Sequence, residues 1–235
     1  MSIHDDHRKR VRKRFSEEGL DTFNEHQVLE MLLFYCLPRR DTNEIAHRLI
    51  NEFGSLSRVL EASPKELQKI PGIGEYAATF LSFSAALIRY YSVNKSQTEN
   101  AEGQIGTPEK YGAYLQPYFI GRKNEAVFLL CLDAKYKVLT CKLVGEGSIN
   151  SAGVPIRKIV QLALNSNATF VVLAHNHPSG LAIPSSDDIN TTRITASSLK
   201  AVDVILADHI VFADDDFVSL RQSGLFDPDK SYTLI

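Results

Sequence analysis

Two histidines and an aspartate lie close together in residues 175–188, HNHPSGLAIPSSDD in one-letter code. Imidazole nitrogen and carboxylate oxygen are ordinary zinc ligands, and a catalytic zinc keeps three protein ligands and one open position. His175, His177 and Asp188 therefore form a candidate ligand set for one zinc ion per chain. The chemistry that such a site supports is hydrolysis.

The flanking elements would bring these ligands together. Residues 169–174 are mostly apolar and predict a short, central β-strand. If the strand continues, His175 and His177 point to the same face. Ser185 then predicts the start of a helix with Asp188 in its first turn, where the helix dipole favours a carboxylate. Taken alone, a His-x-His pair is a weak signal, and Ser-x-x-Asp is a capping-box-like helix start that needs no metal.

Joined in this order, the fragments match a known signature. His-x-His, seven residues and Ser-x-x-Asp resemble the motif of the JAMM (MPN+) zinc metalloproteases, and the fuller stretch is similar to the bacterial RadC branch of that fold. Residues 147–150, Gly-Ser-Ile-Asn, resemble that branch's Gly-Thr-Leu-Asn segment, and Asp208-His209 resembles its Asp-His pair. The resemblance is close over residues 104–226 and looser through the N-terminal helices.

The resemblance implies a role for each position. His175, His177 and Asp188 would bind Zn²⁺, and the Ser185 hydroxyl would hold the attacking water or the oxyanion. A glutamate upstream would be the general base. Glu125, just before a predicted strand at 126–132, fits the family position, and Glu146 is the rival in a glycine-rich loop. We favour Glu125 because a strand entrance holds a side chain more rigidly than a loop does.

His209 has two interpretations. It would be either a hydrogen-bonding partner of a metal ligand or a histidine packed in the core, and we favour the core position.

Residues 67–81 resemble the helix-hairpin-helix of many DNA-binding proteins. Gly72 and Gly74 allow a tight turn, whose backbone N–H groups and following helix start could hold a phosphate without reading the sequence. Lys69 lies on the approach to the turn, whereas Glu75 directly after it disfavours phosphate. The alternative is a helical hairpin used only for packing.

The patterns predict two domains of different class. Residues 1–93 read as a helical domain, 94–106 as a polar linker, 107–226 as the zinc domain and 227–235 as a tail. The fold class is α+β or α/β: an all-helical helix-hairpin-helix domain, then a mixed sheet with flanking helices. The resemblance makes that second domain an MPN/JAMM fold, which is cytidine-deaminase-like.

Composition excludes several classes of protein. The net charge is -2, no apolar run suits a membrane span, and the charged N-terminus argues against a signal peptide. Cys36, Cys131 and Cys141 are scattered in apolar stretches, which predicts free thiols in the cytoplasm. The six cations within residues 8–14 predict either phosphate contacts or a solvated, frayed terminus.

These observations favour a JAMM-type zinc hydrolase, a metallopeptidase or isopeptidase acting on a peptide or protein, with a helical module that contacts DNA. One alternative is a DNA-binding, DNA-repair-associated protein whose metal domain is structural. Another is a metal-dependent nuclease, although nucleases usually use carboxylate-rich magnesium sites.

Overall fold

The computed structural model describes residues 3–38, 40–101, 103–147, 155–178 and 180–232. The chain divides into two compact units, Met1–Ile88 and Arg89–Ile235. The predicted architecture is confirmed at this level: the first unit is helical and the second contains a five-stranded mixed sheet. No helix among the described residues is long and apolar enough to cross a lipid bilayer.

Short helices with well-formed caps build the first unit. Polar side chains at the first positions accept hydrogen bonds from free backbone N–H groups, as at Asn24, Asp41, Ser55 and Ser63. The helices are α1 (Ile3–Glu18), α2 (Glu25–Cys36), α3 (Thr42–Phe53), α4 (Leu56–Glu61), α5 (Pro64–Leu67) and the first part of α6 (Glu75–Glu99). Their apolar faces enclose one core that includes Leu29, Leu33, Leu49, Leu67 and Leu81, all fully buried.

The N-terminal cations lie on a helix, so the expectation of a frayed terminus was wrong. Arg8 is buried, and its guanidinium donates to the carbonyl oxygens of Leu37 and Arg40, at 2.7 Å each, and to that of Phe34. These bonds satisfy carbonyls in the last turn of α2 and just beyond its end, and they compensate the burial of a charge. The sequence alone does not show which of the six cationic side chains within residues 8–14 is buried.

The second unit arranges its sheet in the order β2-β1-β3-β4-β5, with β3 and β4 parallel and the other neighbours antiparallel. Its elements after α6 are α7 (Pro108–Leu115), a 3-10 helix (Gln116–Phe119), β1 (Ala126–Leu132), β2 (Val138–Glu146), α8 (Ile156–Asn165), β3 (Phe170–Asn176), α9 (Ser186–Lys200), β4 (Ile205–Ala213) and β5 (Asp216–Ser219).

Each face of this sheet has its own core. Side chains alternate along a strand, so Phe128, Leu130 and Val172 pack with α7 and the 3-10 helix. Leu129 and Leu173 pack on the other face with α8 and α9. The histidines of the candidate site belong by alternation to this second face, the one that α9 covers.

Helix α6 runs through part of the predicted linker. Residues 94–99 are helical, and Ser96 is buried with its hydroxyl donating to the Tyr114 carbonyl at 3.2 Å. Val93 packs against the core of the second unit. The prediction of a linker was wrong for residues 94–99. A mostly polar segment can pack against a core as a helix when only a few of its side chains face inward.

Strand β4 runs without a break over Ile205–Ala213. The pairing with β3 slips by one residue, since Val171 pairs with Leu206 but Val172 pairs with Asp208. This irregularity leaves Ala207 as an extra residue, as in a β-bulge. The polar pair Asp208-His209 lies within this strand, and both residues are buried.

The predicted tail is in part ordered against α9. Ser197 donates to the Tyr232 carbonyl at 2.6 Å, and the Tyr232 ring stacks on Phe226. The segment Ser148–Asn150 that contributed to the family resemblance lies outside the described residues.

Candidate metal centre

The two histidines lie where β3 ends. His175 is within the strand, paired with Val127 on β1 and Val211 on β4. His177 follows the strand, but its N–H still donates to the Phe212 carbonyl at 2.7 Å. Backbone bonds therefore hold both residues in an extended segment, and their rings point to one face. Gly180 then adopts a left-handed conformation, φ 86°, as the chain turns toward α9.

Asp188 is held at the third position of α9 by a capping box with Ser185. Its carboxylate accepts from the Ser185 N–H at 2.8 Å, and its own N–H donates to the Ser185 hydroxyl oxygen at 3.1 Å. The Ser185 hydroxyl also donates to that carboxylate at 2.6 Å. The same residues that begin the helix therefore fix the carboxylate in position.

The three predicted ligands converge. His175 Nε2 lies 3.0 Å from His177 Nε2 and 3.1 Å from one carboxylate oxygen of Asp188, whose other oxygen is 3.4 Å from His177 Nε2. Ligands about 2.0–2.1 Å from a tetrahedral zinc are roughly 3.3 Å apart. The donor types and spacing thus fit a zinc ion. Among the described residues, these three form the one such cluster close enough to share a metal.

The outward nitrogens of both rings have partners. His177 Nδ1 lies 3.0 Å from the Leu181 carbonyl, to which it can only donate. His175 Nδ1 lies 2.8 Å from His209 Nε2. A proton on each Nδ1 leaves both Nε2 atoms unprotonated and facing the cluster, which is the form that binds metal.

A chain of hydrogen bonds extends behind His175. His209 Nδ1 is 2.6 Å from the Thr192 hydroxyl, which lies 2.5 Å from the backbone carbonyl of Asp188. That carbonyl can only accept, so the Thr192 hydroxyl donates to it, His209 Nδ1–H donates to Thr192, and His209 Nε2 accepts from His175. These hydrogen bonds connect the two proposed ligands His175 and Asp188 through α9 and fix the tautomer of His175.

Burial sets the protonation states around the cluster. Burial lowers the pKa of His209 well below its usual value, and the neighbouring His175 adds to this effect. For Asp188, burial alone would raise the pKa. Hydrogen bonds from His175 and Ser185, together with the charge that His175 carries when it is protonated in the absence of a metal, lower it below its usual range. A neutral His209 beside an ionised Asp188 is the combination that a cation site needs.

Asp208 anchors His209 from the other side of the strand. It is fully buried, and its carboxylate accepts from the Ser219 hydroxyl at 2.6 Å and from two backbone N–H groups, those of His209 and Arg221. Burial raises the pKa of Asp208, and these donors oppose that shift. His209 is therefore buried in the core, as we favoured, and is at the same time a hydrogen-bonding partner of the proposed ligand His175.

Strand alternation assigns the two candidate bases to opposite faces of the sheet. Glu125 precedes β1 and is half-buried, and alternation places it on the face of Val127, the partner of His175. Glu146 pairs with Ala126 across β1 and β2, and its carboxylate forms a 2.9 Å salt bridge with Arg122.

Sequence reasoning missed two residues that shape the site. Thr192 gave no signal beyond lying one helical turn after Asp188. Asn176, between the histidines, points to the other face, where its side-chain oxygen accepts from the Ala126 N–H at 2.8 Å and its NH₂ donates to the Asn124 carbonyl at 3.2 Å. It thereby holds the entrance of β1, next to Glu125.

In the first unit, a tight turn connects α5 to α6. Gly72 has φ 101°, and Ile73 is buried in the helical core. Arg40 and Arg48 donate to the carbonyls of Gly72 and Pro71, at 3.5 and 3.3 Å. Gly74 and Lys69, also predicted to contact nucleic acid, are exposed beside this turn.

Comparison with known proteins supplies the class and then the family. Residues 105–225 match the model of the RadC-like JAB domain, which makes the second unit a JAB-type domain. Residues 4–79 match the UPF0758 N-terminal model. The chain therefore belongs to the RadC family of UPF0758 proteins.

Relatives match along nearly the whole chain. A UPF0758 protein of Fusobacterium nucleatum is 34% identical over 223 residues, which cover 93% of this chain and 96% of that protein. A UPF0758 protein of Stenotrophomonas maltophilia is 32% identical over 231 residues, 98% of each. A UPF0758 protein of Paraburkholderia xenovorans is 32% identical over 213 residues, which cover 91% of this chain and 83% of that protein. These matches cover most of this chain and most of each relative.

Proposed function

We propose that this protein is a zinc-dependent hydrolase of the JAMM type that cleaves a peptide or isopeptide bond. The observation that carries the proposal is the convergence of the two Nε2 atoms of His175 and His177, 3.0 Å apart, with the Asp188 carboxylate, whose two oxygens lie 3.1 and 3.4 Å from them. Membership of a JAB-type family supports it. A single site of two histidines and one carboxylate suits zinc rather than the magnesium of most nucleases.

When bound, zinc lowers the pKa of a water molecule toward neutrality and polarises a carbonyl. Glu125 would then take the water proton on a carboxylate oxygen and pass it to the leaving amine. Its place on the face of His175 supports this role. Glu146 is a weaker candidate, because it belongs to the opposite face and is paired with Arg122.

Ser185 would stabilise negative charge on the carbonyl oxygen under attack. Its hydroxyl now donates to Asp188. When that carboxylate serves a metal, the hydroxyl hydrogen can turn toward the substrate, while the Ser185 oxygen still accepts from the Asp188 N–H.

The first test is metal content. Elemental analysis of the purified protein should give about one zinc per chain, lost in His175→Ala and in Asp188→Ala but retained in His47→Ala, a control in the helical unit. A folded wild-type protein that takes up no zinc when supplied would contradict the proposal.

The second test is activity. The zinc-loaded protein should cleave peptide or isopeptide substrates, and Glu125→Gln should abolish turnover while zinc remains bound. Glu146→Gln is the matched control and should retain turnover. Cleavage of DNA instead would favour the nuclease hypothesis, and bound zinc with no cleavage of either substrate would favour a structural metal.

We also propose that the helical unit binds DNA through the turn at residues 70–74. The observation that favours it is the pair Arg40 and Arg48, whose side chains reach the turn carbonyls and add positive charge beside the N-terminus of α6. Fluorescence anisotropy with unrelated duplexes should show that Lys69→Glu weakens binding equally for every sequence. Equal affinity of Lys69→Glu and wild type would contradict this proposal.

A further inference from the structure

The side chain of Asn176 contacts both peptide groups that flank Glu125. Asn176 is 6% exposed and lies between the two histidines of the candidate site. Its Oδ1 atom accepts from the Ala126 N–H at 2.8 Å, and its Nδ2 atom donates to the Asn124 carbonyl at 3.2 Å. The N–H belongs to the peptide group that follows Glu125, and the carbonyl belongs to the peptide group that precedes it. One buried amide therefore fixes the backbone on both sides of the proposed base.

These two bonds extend the alignment of β1 with β3 beyond their backbone pairing. The pairing of the two strands ends at Val127 and His175. On its other side, β3 continues to pair, since Asn176 lies opposite Phe212 on β4. Where backbone pairing with β1 stops, the side chain of Asn176 supplies the next bonds, and these reach to Glu125.

Strand β2 holds the same residue from the opposite side. The Glu125 carbonyl accepts from the Gly147 N–H at 2.9 Å, and the Glu125 side chain is half-buried. Of these contacts, those made by Asn176 lead to the strand that carries the proposed zinc ligands. The place of Glu125 relative to a metal therefore depends on Asn176.

We infer that Asn176 is a positioning residue, which fixes the proposed base Glu125 relative to the ligands His175 and His177. The inference rests on the proposed hydrolase function, because it requires Glu125 to take a proton from a water molecule at the metal. A general base acts only within hydrogen-bond reach of the proton that it takes. A misplacement of about 1 Å can cost roughly 100-fold in rate.

Asparagine suits this position because its amide both donates and accepts. The carboxylate of aspartate can only accept, and leucine can do neither, although both side chains have nearly the shape of asparagine. Asn176→Leu thus removes both bonds and leaves the backbone around Glu125 free to shift. Asn176→Asp keeps an acceptor for the Ala126 N–H but loses the donor to the Asn124 carbonyl.

Steady-state kinetics of the zinc-loaded protein test the role, with a fluorogenic peptide that the wild type cleaves, selected from a mixed-sequence library. Asn176→Leu should lower kcat about 100-fold, while KM stays within about twofold and zinc content stays at about one per chain. Ser96→Ala, which removes a buried hydrogen bond of the same unit, is the matched control and should retain kcat. Unchanged kcat in a folded, zinc-loaded Asn176→Leu would overturn the inference.

Asn176→Asp provides a second, milder variant. Because it loses one of the two bonds, kcat should fall roughly tenfold. If Asn176→Leu does not fold, this variant decides: a loss of kcat at unchanged KM supports the inference, and wild-type kcat overturns it.

Amide hydrogen exchange followed by NMR tests the contact without any measurement of activity. The Ala126 N–H should exchange slowly in wild type and roughly tenfold or more faster in Asn176→Leu. The N–H of Leu130, in the middle of β1, should exchange at the same rate in both proteins. Equal protection of Ala126 in both proteins would mean that Asn176 does not hold the start of β1, and would overturn the inference.

The results also separate this inference from the proposed function. A wild type that binds no zinc, or that cleaves no peptide when loaded, contradicts the function and the inference with it. An active wild type beside an equally active Asn176→Leu contradicts the inference alone.

Discussion

At the scale of single residues, His209 determines the form in which His175 meets a metal. Its Nε2 must accept from His175, because its Nδ1–H is committed to Thr192. Protonation of His209 would break the hydrogen bond with His175, since His209 Nε2 and His175 Nδ1 would then both carry a hydrogen atom. The buried, neutral state of His209 is therefore part of the site.

Replacing His209 by phenylalanine should weaken zinc affinity roughly 10–100-fold while the protein stays folded. The aromatic ring keeps much of the volume but leaves His175 Nδ1 without its acceptor. Competition with a chromogenic zinc chelator measures the change. His47→Phe, remote in sequence and in the other unit, should leave affinity unchanged, and an unaltered affinity in His209→Phe would disprove the positioning role.

The stability of the metal-free protein should fall as pH decreases from 6.5, the usual pKa of histidine. The pKa of His209 is lower in the folded state, so below 6.5 the unfolded chain binds a proton that the folded chain does not. Stability then decreases by up to about 1.4 kcal/mol per pH unit from this residue. Urea unfolding from pH 7.5 to 5 should show this slope, and His209→Phe should reduce it. Equal slopes in both proteins would contradict the assignment.

At the scale of elements, the two glycines of the α5–α6 turn have different structural roles. Gly72 has φ 101°, and a Cβ there would lie 2.9 Å from Ile45 Cδ1. Gly74 has no atom within 4 Å of the corresponding position. The turn therefore requires glycine at its first position and tolerates a side chain at its second.

Gly72→Ala should destabilise the helical unit by about 1–3 kcal/mol, because it adds backbone strain and a contact with Ile45. Gly74→Ala is the matched control and should change stability by less than about 0.5 kcal/mol. Chemical denaturation followed by circular dichroism compares the two. Equal losses in both variants would show that the left-handed conformation of Gly72 does not limit stability.

The sequence predicted an element best where a continuous run of apolar residues marked it. The bounds of β1 were predicted to the residue because all of its side chains are apolar and buried. The convergence of His175, His177 and Asp188 was predictable because a strand end and a helix start are local features. The bulge at Ala207 and the bond from Thr192 to His209 were not, because both depend on residues that meet only after the sheet forms.

At the scale of the whole molecule, the two units have separate cores, and the proposed zinc site belongs to only one of them. Zinc should therefore stabilise the second unit selectively. A ligand at 1,000 times its Kd contributes about 4 kcal/mol if it binds the folded form alone.

Differential scanning calorimetry should show that zinc raises the transition of the second unit and leaves that of the first in place. The expected shift disappears in Asp188→Ala, because that variant lacks one ligand. A shift of equal size in Asp188→Ala would mean that zinc acts elsewhere on the chain.

The helical segment before residue 105 affects how this domain can be transferred between proteins. The family model matches from residue 105, yet the compact unit begins at Arg89, and Ser96 binds the Tyr114 carbonyl. A gene fusion that begins at the matched boundary would leave Tyr114 without that donor and uncover the surface on which Val93 packs. The module that recombination can move intact is therefore longer at its N-terminal end than its family signature.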